Sequence, residues 1–432
     1  MSFRTKFILT LLSATLTLYT AVGGWISTRA QQQPANDPNA QLRIFESVLQ
    51  HIQNDYVDEP NMEKVRAGAL RGLAYGLDPY STYLTPEQVK EYSAGNKDSV
   101  AGIGAELSQV ASYLYVIAPM KGSPADQAGI KAGDIIEYID NKATRDISLY
   151  DAKQLLNGPA GTEVKLRVLR ANSSPLTVTV KRGSSRAAAA EGRMEAGRVG
   201  VLRINSLTDG EANEIRARLQ DLVKQGAQKI VIDVRDTAGG SLTEAVTVAN
   251  LFIKDGVLAQ TIGKEGKALK TFTADPKATI FSGPVVALID TGTAGAAEVI
   301  ASALSERNRG QVVGEKSFGA GTEQQLYTLR GGDGLLLTTV KWASSNGKPF
   351  LGEDRAHSGV APNVEVKGQE VSDAVDPDDL TGNDDDAIKQ PDQSNEKRDV
   401  TPAPATKPAV EDIQLKKALE LLKDKPASQR AA

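Results

Sequence analysis

The stretch from Val285 to Gln324 constrains the fold more than any other. An apolar run, Val285-Val-Ala-Leu-Ile-Asp290, passes into the tiny residues Thr291-Gly-Thr-Ala-Gly-Ala-Ala-Glu298, which open an apolar helical segment reaching Leu304. A strand that turns directly into a helix aims the helix's free N–H groups at whatever sits beside the turn, so the residues predict an oxyanion-binding corner. The small side chains from Thr293 to Ala297 let another backbone come close, and Glu298 in the first turn suits the helix dipole. On this stretch alone, a junction chosen for tight packing is the commoner outcome.

Strand and helix patterns alternate before this junction. Val199 to Asn205 reads as a strand, Gly210 to Gln225 as a helix, Ile230 to Val234 as a strand, and Thr243 to Phe252 as a helix, which implies a largely parallel sheet covered by helices. Ligands in such sheets bind at the strands' C-terminal ends, where Gly239-Gly240 stands. A hairpin follows Gln324, with Gln325 to Leu329 and Leu335 to Trp342 joined by Arg330-Gly-Gly-Asp-Gly334.

The remaining segments divide by composition. Residues 40–96 predict a helical arm, with Leu42, Phe45, Val48, Leu49 and Ile52 at helical spacing and Thr85 capping a helix that starts at Pro86. Residues 99–183 form a separate α/β unit, Gly183 to Ala196 an Ala-rich connection, and residues 197–366 the main core. Residues 367–408, rich in Asp, Pro, Gln and Thr, predict a disordered acidic linker, followed by a helix within 409–425 that packs on the core or a partner.

Composition excludes several functions. Fifty basic residues face 54 acidic ones, for a net charge of -4, and no basic stripe invites nucleic acid. Without cysteine there are no disulfides or thiolate chemistry, and His51 and His357 stand too far apart in sequence to suggest a triad or a two-histidine metal site. No metal or cofactor is expected. At the N-terminus, Arg4 and Lys6 precede an apolar run from Phe7 to Ile26, an order expected of an export signal in residues 1–30. The run of about 20 residues is also long enough to anchor the chain in a bilayer. Cleavage and retention both stay open; either places the body of the protein outside the cytoplasm, as in a periplasm.

The Val285–Gln324 stretch resembles the core of the carboxy-terminal processing peptidases, or tail-specific proteases, which use a Ser/Lys dyad. Their pattern is Gly-Ser-Ala-Ser-Ala-Ser-Glu, then Val-Gly-Glu-x-Thr-Phe-Gly-Lys-Gly-x-x-Gln; here the serine position falls on Gly295 and the lysine position on Ala320, while the orienting glutamine is kept as Gln324. Leu77-Asp-Pro-Tyr-Ser-Thr-Tyr-Leu84 is similar to the family's Leu-Asp-Pro-His-Ser-Ser-Tyr-Leu, with Tyr80 at the histidine position, and Gly359-Val-Ala-Pro-Asn is similar to its closing motif. Arg235-Asp-Thr-Ala-Gly-Gly240 stands where the family has Arg-x-Asn-Pro-Gly-Gly, so the resemblance implies an oxyanion hole of Gly239 or Gly240 with Ala296. Ser123-Pro-Ala and Ala128-Gly-Ile-Lys-Ala-Gly-Asp134 resemble a PDZ domain of the bacterial protease type. That implies capture of C-terminal peptide tails by a loop at Gly102, Ile103 and Gly104 and a groove walled by Leu149, Ala152, Leu155 and Leu156, although the helix face reads equally well as core. The expected architecture is multidomain α/β: helical arm, PDZ-like domain and a mixed α/β peptidase-type core with a largely parallel sheet.

Glycine and alanine supply neither a hydroxyl to attack a carbonyl nor an amine to take its proton. The dyad positions therefore predict a catalytically silent member that still binds tails. Two alternatives stand beside it. One is an active peptidase using Thr293, Ser317 or Thr322 with Lys316; the other is a structural subunit, as a homodimer or paired with an active paralogue.

Overall fold

The computed structural model describes residues 38–95, 100–145, 147–184, 188–368 and 411–423. The expected leader and nearly all of the acidic linker lie outside the described residues. No described helix is long and apolar enough to cross a membrane.

The chain forms two units, one ending at Ala69 and the other running from Leu70. The arm expected over 40–96 spans this division, which falls within the Met62–Tyr75 helix. Its first helix, Pro38–Asp55, leaves Leu42, Phe45, Val48 and Leu49 exposed, so its apolar repeat predicts the helix without saying what it packs on. From Leu70 onward the arm belongs to the larger unit. Thr82–Leu84 pairs antiparallel with the Gly334–Ala343 strand, and the Pro86–Ser93 helix starts in a reciprocal capping box between Thr85 and Gln88.

Within the larger unit, residues 105–181 build a six-stranded antiparallel sheet. Ala105–Val110 lies at its edge, followed by Tyr113–Pro119, Ile135–Ile139, Glu163–Leu169 and Leu176–Lys181, with Lys142–Ala143 beside the middle strand. The Leu149–Leu156 helix covers it, and Ser148 caps that helix by accepting from the Asp151 N–H.

The core sheet runs Glu191–Glu195, Val199–Arg203, Lys229–Asp233, Val285–Ile289, Gly310–Gly314 and Val364–Glu365. Its first pairing is antiparallel and the other four are parallel. Period-two alternation explains the unbroken apolar runs. Val285, Ala287 and Ile289 face the helices Glu211–Lys224, Leu242–Asn250 and Ala296–Glu306, whereas Val286 and Leu288 face the C-terminal helix Ile413–Lys423. That helix packs on the core, burying Ala418 and Leu422.

One expectation needs correction. The connection Gly183 to Ala196 contains the antiparallel edge strand Glu191–Glu195, whose polar residues carry little strand signal. A second, wholly antiparallel sheet joins Thr82–Leu84, Gly334–Ala343, Val257–Ile262 and Ala268–Thr273, with Thr322–Thr328 also on Gly334–Ala343. The core is thus the mixed α/β one expected, with four parallel pairings in one sheet and none in the other.

Candidate active site

Gly295 opens the Ala296–Glu306 helix at φ 63°, ψ −114°, a conformation unfavourable for a residue with a side chain. The strand before it delivers the turn beside Gly239 and Gly240, as the motifs imply: a Cβ on Gly295 would lie 3.3 Å from the Gly239 carbonyl oxygen. Gly240 has no room for one, because it would meet the Leu207 carbonyl oxygen at 2.8 Å. Thr237, where the resemblance expects Asn, is buried and ties the turn down by donating to the Ile204 carbonyl at 2.7 Å.

The oxyanion reading of Ala296 does not hold in this geometry. Its N–H donates to the Gly239 carbonyl at 3.2 Å, so the chain's own oxygen meets the donor expected to cradle a substrate oxygen. A glycine pair can present either N–H or C=O to a cleft; with φ of 75° and 90°, Gly239 and Gly240 present a carbonyl, and no residue type in the motif signals that choice.

The two dyad positions, 25 residues apart, do converge. The N–H groups of Gly295 and Ala320 both donate to Glu298 Oε2, at 2.7 and 2.9 Å. The other oxygen, Oε1, accepts from the Ser317 hydroxyl at 2.5 Å and the Gly319 N–H at 2.8 Å. Glu298 is fully buried. Burial pushes its carboxyl up to about 7, and the donors of Ala320, Ser317, Gly295 and Gly319 pull the other way. At the sequence level Glu298 is a first-turn acid; its role as the tie between the two loops is visible only in three dimensions.

The PDZ-like sheet closes over this corner. Ala294, Phe318 and Ala320 pack with Val110, Tyr115, Ile117 and Ile135, and Tyr115 stacks on Phe318 with ring centres 5.6 Å apart. The Arg355 guanidinium sits over the same Phe318 ring at 4.4 Å and donates to the Phe318 carbonyl. Glu106, on the edge strand, reaches Gly239: a Cβ there would stand 3.0 Å from Glu106 Oε2.

The substitute hydroxyls are committed elsewhere. Thr293 donates to the Val234 carbonyl and to Asp290, both at 3.0 Å, Ser317 is held between Glu298 and the Val360 N–H, and Thr322 accepts from the Gln324 side chain at 2.7 Å. None of the three is bonded to an amine. Lys316 is directed to the carbonyls of Arg355 and Ala356, at 2.8 and 3.3 Å. Gln324, the retained motif residue, faces Thr322 and Thr338, and Thr338 donates to Asp78 of the Leu77–Leu84 motif at 3.0 Å. Beside the corner, Asp290 accepts from the Asp236 N–H at 2.9 Å; burial, then the Asp236 charge, push its carboxyl up to about 8. Both histidines sit exposed at the surface, each against an aspartate.

The PDZ-like region presents Ala105–Val110 as an edge whose partner among the described residues is Tyr113–Pro119. The Gly102–Gly104 loop leads into it: Gly102 exchanges backbone bonds with Gly183, and the Gly104 carbonyl accepts from Met120 and Ser123. Leu149, Ala152 and Leu156, read as groove wall or core, are buried in the domain's core, with Leu155 partly so. Lys153 does face the edge strand, pairing with Glu106 at 3.1 Å.

Comparison with known proteins agrees with this anatomy. Residues 198–366 match the model of peptidase family S41, and residues 115–170 match a PDZ domain. The chain is 30% identical to the carboxy-terminal processing protease CtpA of Bacillus subtilis (strain 168), over 73% of this chain and 68% of that protein. It is 34% identical to a "Probable CtpA-like serine protease" of Staphylococcus aureus (strain MRSA252), over 76% of this chain and 65% of the relative. The fold superposes on a photosystem II D1 C-terminal processing protease with a TM-score of 0.62 and 26% identity, covering 75% of this chain and 86% of that one. With these likenesses, a PDZ domain ahead of an S41 core and two motif loops that meet at Glu298, the chain belongs to the carboxy-terminal processing protease family.

Proposed function

We propose that this chain is an exported, proteolytically silent member of its family that recognises the C-terminal tails of other polypeptides. One observation carries the silence: the serine and lysine positions come together on one Glu298 oxygen, yet Gly295 and Ala320 offer backbone alone. The alternative reading, an active peptidase with substitute residues, loses support because Thr293, Ser317 and Thr322 are bonded to carbonyls, carboxylates or amides and none to a general base amine. Incubation of the purified chain with an unstructured protein substrate is expected to give no products. Time-dependent cleavage that persists through stringent purification would refute the proposal.

Tail recognition draws on the edge strand Ala105–Val110, a template for strand addition with the Gly102–Gly104 loop at its start. Fluorescence anisotropy with a labelled decapeptide separates this from non-specific adhesion: the free carboxylate form binds and the amidated form does not. Export rests on the basic and apolar pattern of residues 1–30, and fractionation of the native host that recovers the chain in the cytosol would remove it. The exposed apolar residues of the Pro38–Asp55 helix favour assembly with a second chain, either a copy or an active paralogue. Light scattering after size exclusion would then give a mass above that of the monomer, or co-elution with the processing protease.

A further inference from the structure

The Leu77–Leu84 motif places a tyrosine where its family has histidine, and the peptidase reading leaves that residue without a role. Its ring packs against the core cluster of the PDZ domain, the same cluster that contains Ile103, Leu107, Leu149 and Ala152. Its hydroxyl lies near enough to Ser108 for the two to interact. Ser108 belongs to Ala105–Val110, which has a strand partner on one side only among the described residues. A side chain from outside the domain thus reaches both the apolar cluster and the strand that a peptide tail would join.

We propose that Tyr80 is an internal competitor for tail binding, a side chain that covers the flank of the recognition strand and must leave before a peptide can pair there. The inference rests on the reading of the PDZ domain as a tail binder. Three features hold the tyrosine in place. The Asp78 carboxylate accepts from the N–H groups of Tyr80 and Ser81 at 2.8 and 2.9 Å and from the Ser81 hydroxyl at 2.8 Å, so the turn is rigid. Downstream, Gln88 donates to Asp151 on the PDZ helix at 2.6 Å, and Tyr92 packs near Tyr150, so the segment is fastened to that helix. The Lys153–Glu106 pair joins that helix to the edge strand, and a peptide strand entering between them would part it.

The arrangement also gives the site a way to register occupancy. Asp78 accepts from Thr338, which in turn accepts from Gln324, so movement of the Tyr80 turn is transmitted to the retained motif glutamine. Strand addition needs unpaired backbone, whereas the tyrosine offers only a ring and one hydroxyl. A tail with a free carboxylate and several backbone hydrogen bonds therefore has more to gain at this edge than the residue it displaces.

The test uses the full chain and a labelled decapeptide with an apolar C-terminal residue. Tyr80→Ala is expected to bind at least about fivefold more tightly than the wild type, in the range typical of a coupling between a displaced element and a ligand. Tyr80→Phe and Ser108→Ala each remove the polar contact and keep the ring contact, and each is expected to give a smaller gain. Should Tyr80→Ala fail to fold, these two variants carry the test, and equal or weaker binding in both overturns the proposal. Saturating peptide is expected to speed hydrogen exchange at the Tyr80 and Ser81 amides while slowing it along 105–110; unchanged exchange at Tyr80 and Ser81 overturns it too. Wild-type binding that no variant alters removes the competitor role alone, whereas no binding by the wild type or any variant removes the tail-binding reading and this inference with it.

Discussion

Ser317 donates its hydroxyl proton to Glu298 across 2.5 Å inside a site that water does not reach, and the same carboxylate holds the backbones of the two dyad positions. A bond of this length, with three N–H donors beside it, ties the helix start to the Gly314–Gly321 loop. The two positions that the motif resemblance assigns to the family's serine and lysine are thus joined through one carboxylate.

That tie predicts the effect of Glu298→Gln. The amide keeps the size but turns one acceptor into a donor, which then faces N–H groups of Gly295 and Ala320 or the Ser317 and Gly319 donors. The expected loss is about 1–3 kcal/mol, from buried donors left unpaired, measured as a shift in urea midpoint at constant slope. An unchanged midpoint would mean that the tie does not contribute to stability.

Gly295→Ser with Ala320→Lys returns both reagents. The single change Gly295→Ser is expected to cost about 1–3 kcal/mol, because a side chain must adopt φ 63°, ψ −114° beside the Gly239 carbonyl. The double variant is expected to remain at background cleavage until the Gly239–Gly240 peptide turns, since the Ala296 N–H is already taken. Rapid turnover of an unstructured substrate by the double variant would show that the donor is released at little cost.

Stability should fall as the solution becomes alkaline. Folding raises the carboxyls of Glu298 to about 7 and Asp290 to about 8, above their values in an unfolded chain, so the folded state holds more protons between about pH 4 and pH 8. The contribution is complete below the unfolded values and is lost as pH rises through the folded ones. The urea midpoint is expected to be lower at pH 9 than at pH 5.5, corresponding to a loss on the order of a few kcal/mol of unfolding free energy for the two groups together. Asp290→Asn should flatten the profile. Below pH 4 the sign reverses, because Asp233 and Asp412, held low against Arg235, take up protons and release their partner.

The C-terminal helix depends on Arg235. Its guanidinium forms a fork with Asp412, at 3.0 and 2.8 Å, and also grips buried Asp233. Asp412→Ala is expected to cost about 1 kcal/mol and to expose the Ile413–Lys423 helix to limited proteolysis. Arg235→Ala should cost about 3–5 kcal/mol, since it strips one of two cations from Asp233. Equal effects from the two changes would place the energy in the helix contact instead.

Much of this protein was legible in the linear chain because it is encoded locally. The Val285–Ile289 run and the tiny residues after it fix a strand entering a helix through side-chain period and size, and Thr85 with Gln88 fixes a capped start at Pro86. The absence of reagents at Gly295 and Ala320 is likewise a matter of residue identity. What the linear chain left undecided depends on which groups meet. The second sheet and the Glu191–Glu195 edge arise from pairings between distant segments. The four donors on Glu298, the carbonyl that Gly239 turns toward Ala296, and Tyr80 beside Ser108 were decided by tertiary structure alone, because hydrogen-bond direction and burial belong to the packed chain and not to any residue in it.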